Sequence, residues 1–243
     1  MIAYNNILRA ANIDSEDTAA GYPFGNALTG RTSEQAGFTS GATRAVDFDN
    51  GSAVAVAALC LAYHNLGTVG ATLTLSGSSD DASYSTLISQ AFSDDNVAFL
   101  TFAEASYRYL RLEVSGHSGT AYIGDLFVGP TLGLPYGPDV GWTQPSQADD
   151  DEIIANVTGS GAIAGVSVIT KPKRTQIQLR NFEKSWFDSN WTPLISTLKR
   201  YPGYYLWKST ERAMYFVLTG KAAGPSFTSP TRQSTSLDVI GLV

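Results

Sequence analysis

Residues 107–114 read YRYLRLEV, and this stretch decides the fold. Leu110, Leu112 and Val114 recur at every second position while Tyr109, Arg111 and Glu113 fill the positions between, which gives a strand one buried and one solvated face. An amphipathic helix would repeat its apolar residues at threes and fours. The short turn SGHSGT follows at 115–120, and then the apolar run AYIGDLFV at 121–128. The pair therefore reads as a hairpin that closes whatever strands precede it.

Working backward from that hairpin, the same spacing recurs. ATLTLS at 71–76 alternates Leu73 and Leu75 with Thr72, Thr74 and Ser76, and AVAVAALCLA at 53–62 reads as a buried strand. TLISQAF (86–92) and VAFLTF (97–102) are further strands, separated by the turns GSSDDASY, SDDN and AEAS. The Asp49-Asn50-Gly51 triplet is a turn signal ahead of residue 53. About six or seven short strands at a spacing of roughly 8 to 12 residues predict an antiparallel sandwich or jelly roll over 45–130. The polar, turn-rich residues 1–44 read as an N-terminal arm and lead-in reaching toward a neighbour.

Residues 131–152, TLGLPYGPDVGWTQPSQADDDE, interrupt the pattern with prolines and glycines and read as a linker held partly extended by Pro135 and Pro138. A second β-rich domain is expected over 153–243. Gly161–Thr170 is apolar and β-branched, KPKR makes a turn, and RTQIQLRN alternates Thr175, Ile177 and Leu179 against Gln176, Gln178 and Arg180. Thr192-Pro193 has the form of a cap followed by a first-turn proline, with Leu194, Ile195 and Leu198 on one face. It predicts one short helix from there to Pro202-Gly203, with Lys199 and Arg200 in its last turn. YYLW, MYFVLTG and STSLDVIGLV complete the strands. The expected class is mainly β: a sandwich followed by a second β-rich domain with one short helix.

Composition narrows the function. The 243 residues are 43% hydrophobic, 11% aromatic and only 16% charged, which describes a folded chain with a weakly charged surface suited to protein contact. A net charge of −6 argues against a nucleic-acid groove, and the one basic cluster, Lys171, Lys173 and Arg174, is too short to reverse that. The single cysteine, Cys60, allows no disulfide within the chain, fits a reducing cytoplasm, and reads as a small core residue. Met1–Ile13 has no basic start before an apolar core, so no signal peptide is expected. Nor does any run approach the roughly 20 apolar residues of a membrane span.

No histidine-based catalytic constellation can be assembled, and a carboxylate pair for glycoside hydrolysis cannot be read from the spacing of the 22 acidic residues. His64 and His117 are the only imidazoles, and there is no G-x-S-x-G elbow. One cysteine and two isolated histidines give no zinc spacing, so neither a metal nor another cofactor is expected. Asp80, Asp81, Asp94 and Asp95 sit in turns that could hold calcium at one sandwich edge, although solvated turn residues describe them better. Asp149, Asp150, Asp151 and Glu152 read as a solubilising or docking patch. The candidate ligand residues are Asp80, Asp81, Tyr84, Asp94, Asp95 and His117, all in the loops. The aromatic set Trp186, Trp191, Tyr204, Tyr205 and Trp207 suits a core or an interface better than a sugar platform.

With AALCLAYHNLG (57–67), ATLTLSGSSDDASY (71–84), YRYLRLEV and YIGDLFVG (122–129) in view, residues 45–130 resemble the galactose-binding-like, discoidin or F5/8 type C sandwich. The chain lacks the cysteine pair that usually closes discoidin domains and shows no apolar spike for lipid. HNLG followed by GATLTLSGSSD also resembles structural proteins of tailed bacteriophages. WTPLISTLKRYPGYYLW and SPTRQSTSLDVIGLV resemble the β-rich assembly domain of a distal tail or baseplate protein. These resemblances imply a non-enzymatic virion protein, assembled in the host cytoplasm as a homo-oligomeric ring in the tail tip or baseplate. It would contact other tail proteins and connect the tail to host-recognition parts. The alternative they imply is a carbohydrate-binding accessory or receptor-binding protein for host surface glycans.

Overall fold

The YRYLRLEV stretch is the second half of one long strand, Ala98–Ser115, and Leu110, Leu112 and Val114 are fully buried, as their alternation predicts. The computed structural model describes residues 1–137, 152–169, 173–208, 212–220 and 224–242. Most of the expected linker, including Pro138 and Asp149 to Asp151, lies outside the described residues, as do Lys171 and Pro172.

In chain order the strands are β1 (Ile2–Ala3), β2 (Asn12–Glu16), β3 (Ala36–Phe38), β4 (Arg44–His64), β5 (Thr72–Ser78), β6 (Ser85–Ala91), β7 (Ala98–Ser115) and β8 (Ala121–Gly129). They continue with β9 (Glu152–Val157), β10 (Ile163–Ile169), β11 (Lys173–Glu183), the helix α1 (Lys184–Leu198), β12 (Gly203–Tyr205), β13 (Met214–Leu218), β14 (Ser226–Ser229) and β15 (Arg232–Leu242). Every pairing among them is antiparallel. The protein is mainly β, with an antiparallel sandwich and a second β-rich body.

Two long strands build the sandwich by passing from one layer to the other. Arg44–Asp49 of β4 pairs with Tyr109–Val114 of β7, and β2 and β5 flank that pair; Ala58–His64 of β4 pairs with β8 and with Ala98–Thr101. The register shifts between Asp49 and Val54 and again between Val56 and Ala58, where the strands bend. The Asp-Asn-Gly triplet is therefore a bulge inside a strand and not a turn before one. Gly51 takes φ of 72°, and the Asp49 carboxylate accepts its N–H at 2.7 Å. AEAS at 103–106 likewise lies within β7 and makes no turn. Between the layers lie Val46, Phe48, Leu73, Leu75, Leu110 and Leu112 from the front and Leu59, Leu61, Ile123, Leu126 and Val128 from the back.

The first 44 residues are not a free arm. β2 pairs with β4 and β3 with β8, while β1 joins the second body beside β12. That body is a sheet ordered β1-β12-β13-β15-β11, with β14 on β15. Alternation assigns its two faces: Ile2, Tyr205, Met214 and Phe216 face α1, where Phe187, Leu194, Ile195 and Leu198 close a core. Ala3, Tyr204 and Tyr215 face the sandwich, where they pack on Ala58, Cys60, Ala62 and Phe127 of its back sheet.

The helix begins eight residues before the expected Thr192 cap. It starts directly from β11 at Lys184, with Glu183 at the cap position making no side-chain cap bond, and Pro193 lies inside it. The spacing of Phe187, Leu194 and Leu198 supplies the buried stripe, and Pro193 is accommodated on the exposed side. Lys199 is the C-cap residue and Arg200 follows the helix. No described helix is long and apolar enough to cross a membrane.

Candidate functional site

The six expected ligand residues do not meet. The segments 39–43, 65–71, 92–97 and 116–120 cluster at one end of the sandwich and bring Asp94, Asp95 and His117 there; the turn 79–84, with Asp80, Asp81 and Tyr84, lies at the other. A calcium site built from both aspartate pairs is therefore ruled out by placement. Among the described residues, no group of three or more histidine, cysteine or acidic side chains is arranged to hold a metal.

At the first end the polar side chains bind the loops to one another. Asp95 accepts from the Thr68 N–H at 3.0 Å and the Thr68 hydroxyl at 2.5 Å; its burial raises the carboxyl, but these bonds outweigh that and leave it lowered. Asp94 accepts the Asn96 N–H, and the buried His117 donates from Nε2 to the Thr39 carbonyl at 3.0 Å. His64 accepts the Leu66 N–H at Nδ1 and donates from Nε2 to the Asn96 carbonyl. Burial lowers its pKa and keeps it neutral. These are loop-fixing roles.

The opposite end continues into the front sheet. Asp80 Oδ1 accepts from the Ser78 hydroxyl and from the N–H groups of Ala82 and Ser83, which holds its carboxyl down at about 2. Asp81, at φ of 59°, accepts the Tyr84 hydroxyl at 2.5 Å. The Arg111 guanidinium lies 4.2 Å over the Tyr84 ring and makes a two-pronged pair with Asp47 at 2.6 and 3.0 Å, with the Ser15 hydroxyl also on Asp47. Arg108 repeats the arrangement with Asp49 at 2.7 and 2.6 Å and with the Tyr109 ring at 4.7 Å. Sequence reasoning placed Tyr84 and the YRYLR stretch but not this array. Its signal was DFD at 47–49 facing RYLR across the strands.

Of the five expected interface aromatics, Tyr204 and Tyr205 are buried within the chain, the first at the joint with the sandwich and the second against α1. Both faces of that strand are covered, so neither ring is open to another molecule. Trp186, Trp191 and Trp207 are half-buried against the second body's core.

Among the described residues, a different surface is left uncovered. β9 and β10 form a two-stranded hairpin that no other strand joins among the described residues. The pairs Ile153–Val168 and Ala155–Val166 put four apolar side chains on one face, and Ile153, Val166 and Val168 are 58 to 68% exposed. The other face carries Glu152, Ile154, Asn156, Ser167 and Ile169. An isolated hairpin is marginal in water, and apolar faces of this kind mark contact surfaces.

No protein-family model matches the chain, and no curated protein matches it. Among solved structures, the CBM32 of AlyQ in complex with 4,5-unsaturated mannuronic acid shares 23% identity over 49% of this chain and 97% of its own, with a TM-score of 0.41. CBM32-1 from a family 31 glycoside hydrolase of Clostridium perfringens shares 16% identity over 52% and 99%, at 0.45. Chitosan-binding module 1 from a chitosanase/glucanase of Paenibacillus sp. IK-5 shares 17% identity over 52% and 99%, at 0.43.

Proposed function

We propose that this chain is a non-catalytic attachment protein: its sandwich recognises a surface carbohydrate, and its second β-rich body fixes that sandwich to a larger assembly. The observation that carries the reading is how the sandwich is mounted. Its back sheet is taken up by Tyr204, Tyr215 and Ala3 of the second body, so the front sheet and the loop ends are what it offers to a ligand. On that front, Arg111, Tyr84 and Asp81 set a guanidinium, a ring and a carboxylate side by side, groups that hydrogen-bond and stack on sugar hydroxyls and rings. The working units are the sandwich core 45–130 with strands 12–16 and 36–38 laid on it, and the body 153–243 with strand 2–3. The fold alone does not carry an activity, so the test is direct. A glycan array probed with the full chain is expected to show binding that Tyr84→Ala and Arg111→Ala each weaken while each variant stays folded at the assay temperature, as its unfolding curve checks. Silence of the folded protein toward every glycan would sink the reading.

The second reading is a component of the tail tip or baseplate of a tailed phage, assembled in the host cytoplasm into a ring with other tail proteins. The exposed hairpin face favours it, because an apolar hairpin that no other described strand joins is what a subunit of a larger assembly would carry. Mass spectrometry of purified particles encoded with this sequence is expected to find the chain as a structural component. Its absence from them would remove the reading.

A further inference from the structure

Four of the protein's 16 lysine and arginine side chains, Arg9, Arg31, Lys199 and Arg200, line one cleft, although the chain carries a net charge of −6. The cleft consists of two adjoining hollows of about 560 and about 380 Å3 that share Thr29, Arg31 and Tyr201. Leu8, Ala11 and Leu28 give the larger one an apolar floor. It forms where the N-terminal segment meets the chain just after α1, so neither the sandwich nor the second body makes it alone.

Arg9 is a fixed wall of this cleft. Its Nε donates to the Leu28 carbonyl at 2.9 Å, its guanidinium lies 4.2 Å over the Tyr201 ring, and Asp125 is 3.6 Å behind it. Arg31 meets Glu34 at 3.1 Å in an exposed pair of the kind that contributes little. Lys199 and Arg200 are exposed, and among the described residues neither is paired with a carboxylate. Their place at the carbonyl end of α1 accounts for two cations near a helix terminus. It does not account for Arg31 lining both hollows, nor for Arg9 in the adjoining one.

We infer that this cleft binds an acidic saccharide, a short chain with carboxylates on successive sugar rings. Its carboxylates would lie on Arg31, Lys199 and Arg200, and a ring face against Tyr201. The chemistry selects this class. The cations line two adjoining hollows of small-ligand size that share Arg31 and the Tyr201 ring, whereas a nucleic acid needs a longer basic track. A lone phosphate would not reach across both hollows. The inference rests on the carbohydrate reading and names its ligand class, at a site away from the sandwich front.

Calorimetric titration of the full chain compares a short oligogalacturonate, an uncharged malto-oligosaccharide and inorganic phosphate. The uronate is expected to bind, with affinity falling as salt rises, and to lose at least about tenfold in the Arg31→Ala and Lys199→Glu/Arg200→Glu variants. The exposed positions keep these variants folded, which the unfolding midpoint checks. Uronate affinity unchanged in the variants, or matched by phosphate or by the neutral sugar, overturns the proposal. Neutral glycan bound through Tyr84 and Arg111 with no response to uronate overturns the cleft alone. Silence toward every saccharide overturns both readings.

Discussion

Tyr204 donates its hydroxyl hydrogen to Asp125 across the joint between the two β bodies, 2.8 Å from Oδ2, with both side chains buried. Asp125 lies on the back sheet of the sandwich and Tyr204 on the sheet of the second body, so this bond ties two layers that otherwise meet through apolar packing. Tyr204→Phe leaves a buried carboxylate without that donor and is expected to cost about 1 to 3 kcal/mol. Urea unfolding at neutral pH measures it, and an unchanged midpoint would show that the bond holds nothing.

The same carboxyl makes stability depend on pH. Burial pushes Asp125 up to about 6 from an ordinary 3.8, against the pull of Tyr204 and Arg9. Between those values the folded chain keeps a proton that the unfolded chain releases. The contribution is thus full below pH 3.8 and is lost as pH rises through about 6. Its size is on the order of 2 to 3 kcal/mol. Unfolding curves for the wild type and Asp125→Asn are expected to diverge across this window, and parallel profiles would contradict the shift.

Cys60 reports on the joint. It sits on the back sheet beneath the second body, and burial raises its thiol well above the ordinary value. Native protein is expected to resist iodoacetamide, and Tyr204→Ala to admit it before global unfolding. Equal labelling rates in the two proteins would mean that Tyr204 does not hold the joint closed.

The hairpin face is open to a charge test. Val166→Lys with Val168→Lys is expected to shift unfolding by no more than about 0.5 kcal/mol, because both side chains are exposed. The same pair is expected to abolish association with whatever the face docks on, read by sedimentation. Assembly that survives the double variant removes the docking role.

The alternation in YRYLRLEV makes a paired prediction. Leu112→Ala is expected to cost about 2 to 5 kcal/mol, and its neighbour Glu113→Ala under about 0.5. Comparable losses would place the wrong face inward.

Period two at 107–114 and 71–76 was legible because each of those strands has one wet face. The continuity of β4 and β7 was not, since Asp-Asn-Gly and AEAS have the local chemistry of turns and only the crossing between layers turns them into bends. The separation of Asp80 from Asp94 did have a signal. They occupy the turns on either side of β6, and the two ends of one strand lie at opposite ends of the sheet. Burial of Tyr204 and Tyr205 was likewise written in YYLW, an unbroken apolar run of the kind that marks a strand covered on both faces. Arg9 and Arg200 share no local pattern, and only the tertiary fold brings them to one cleft.

Ile2 and Leu132 exchange two backbone hydrogen bonds, N–H to carbonyl at 2.9 and 2.8 Å. The chain thus departs from the edge of the second sheet and returns to the same spot after making the whole sandwich, so topologically the sandwich is cargo seated in a loop whose ends are already clasped. Such a socket can accept a different cargo without redrawing the sheet that bears it. What the replacement must supply is a back face as shallow as Ala58, Cys60 and Ala62, low enough to let Tyr204 and Tyr215 lie down on it.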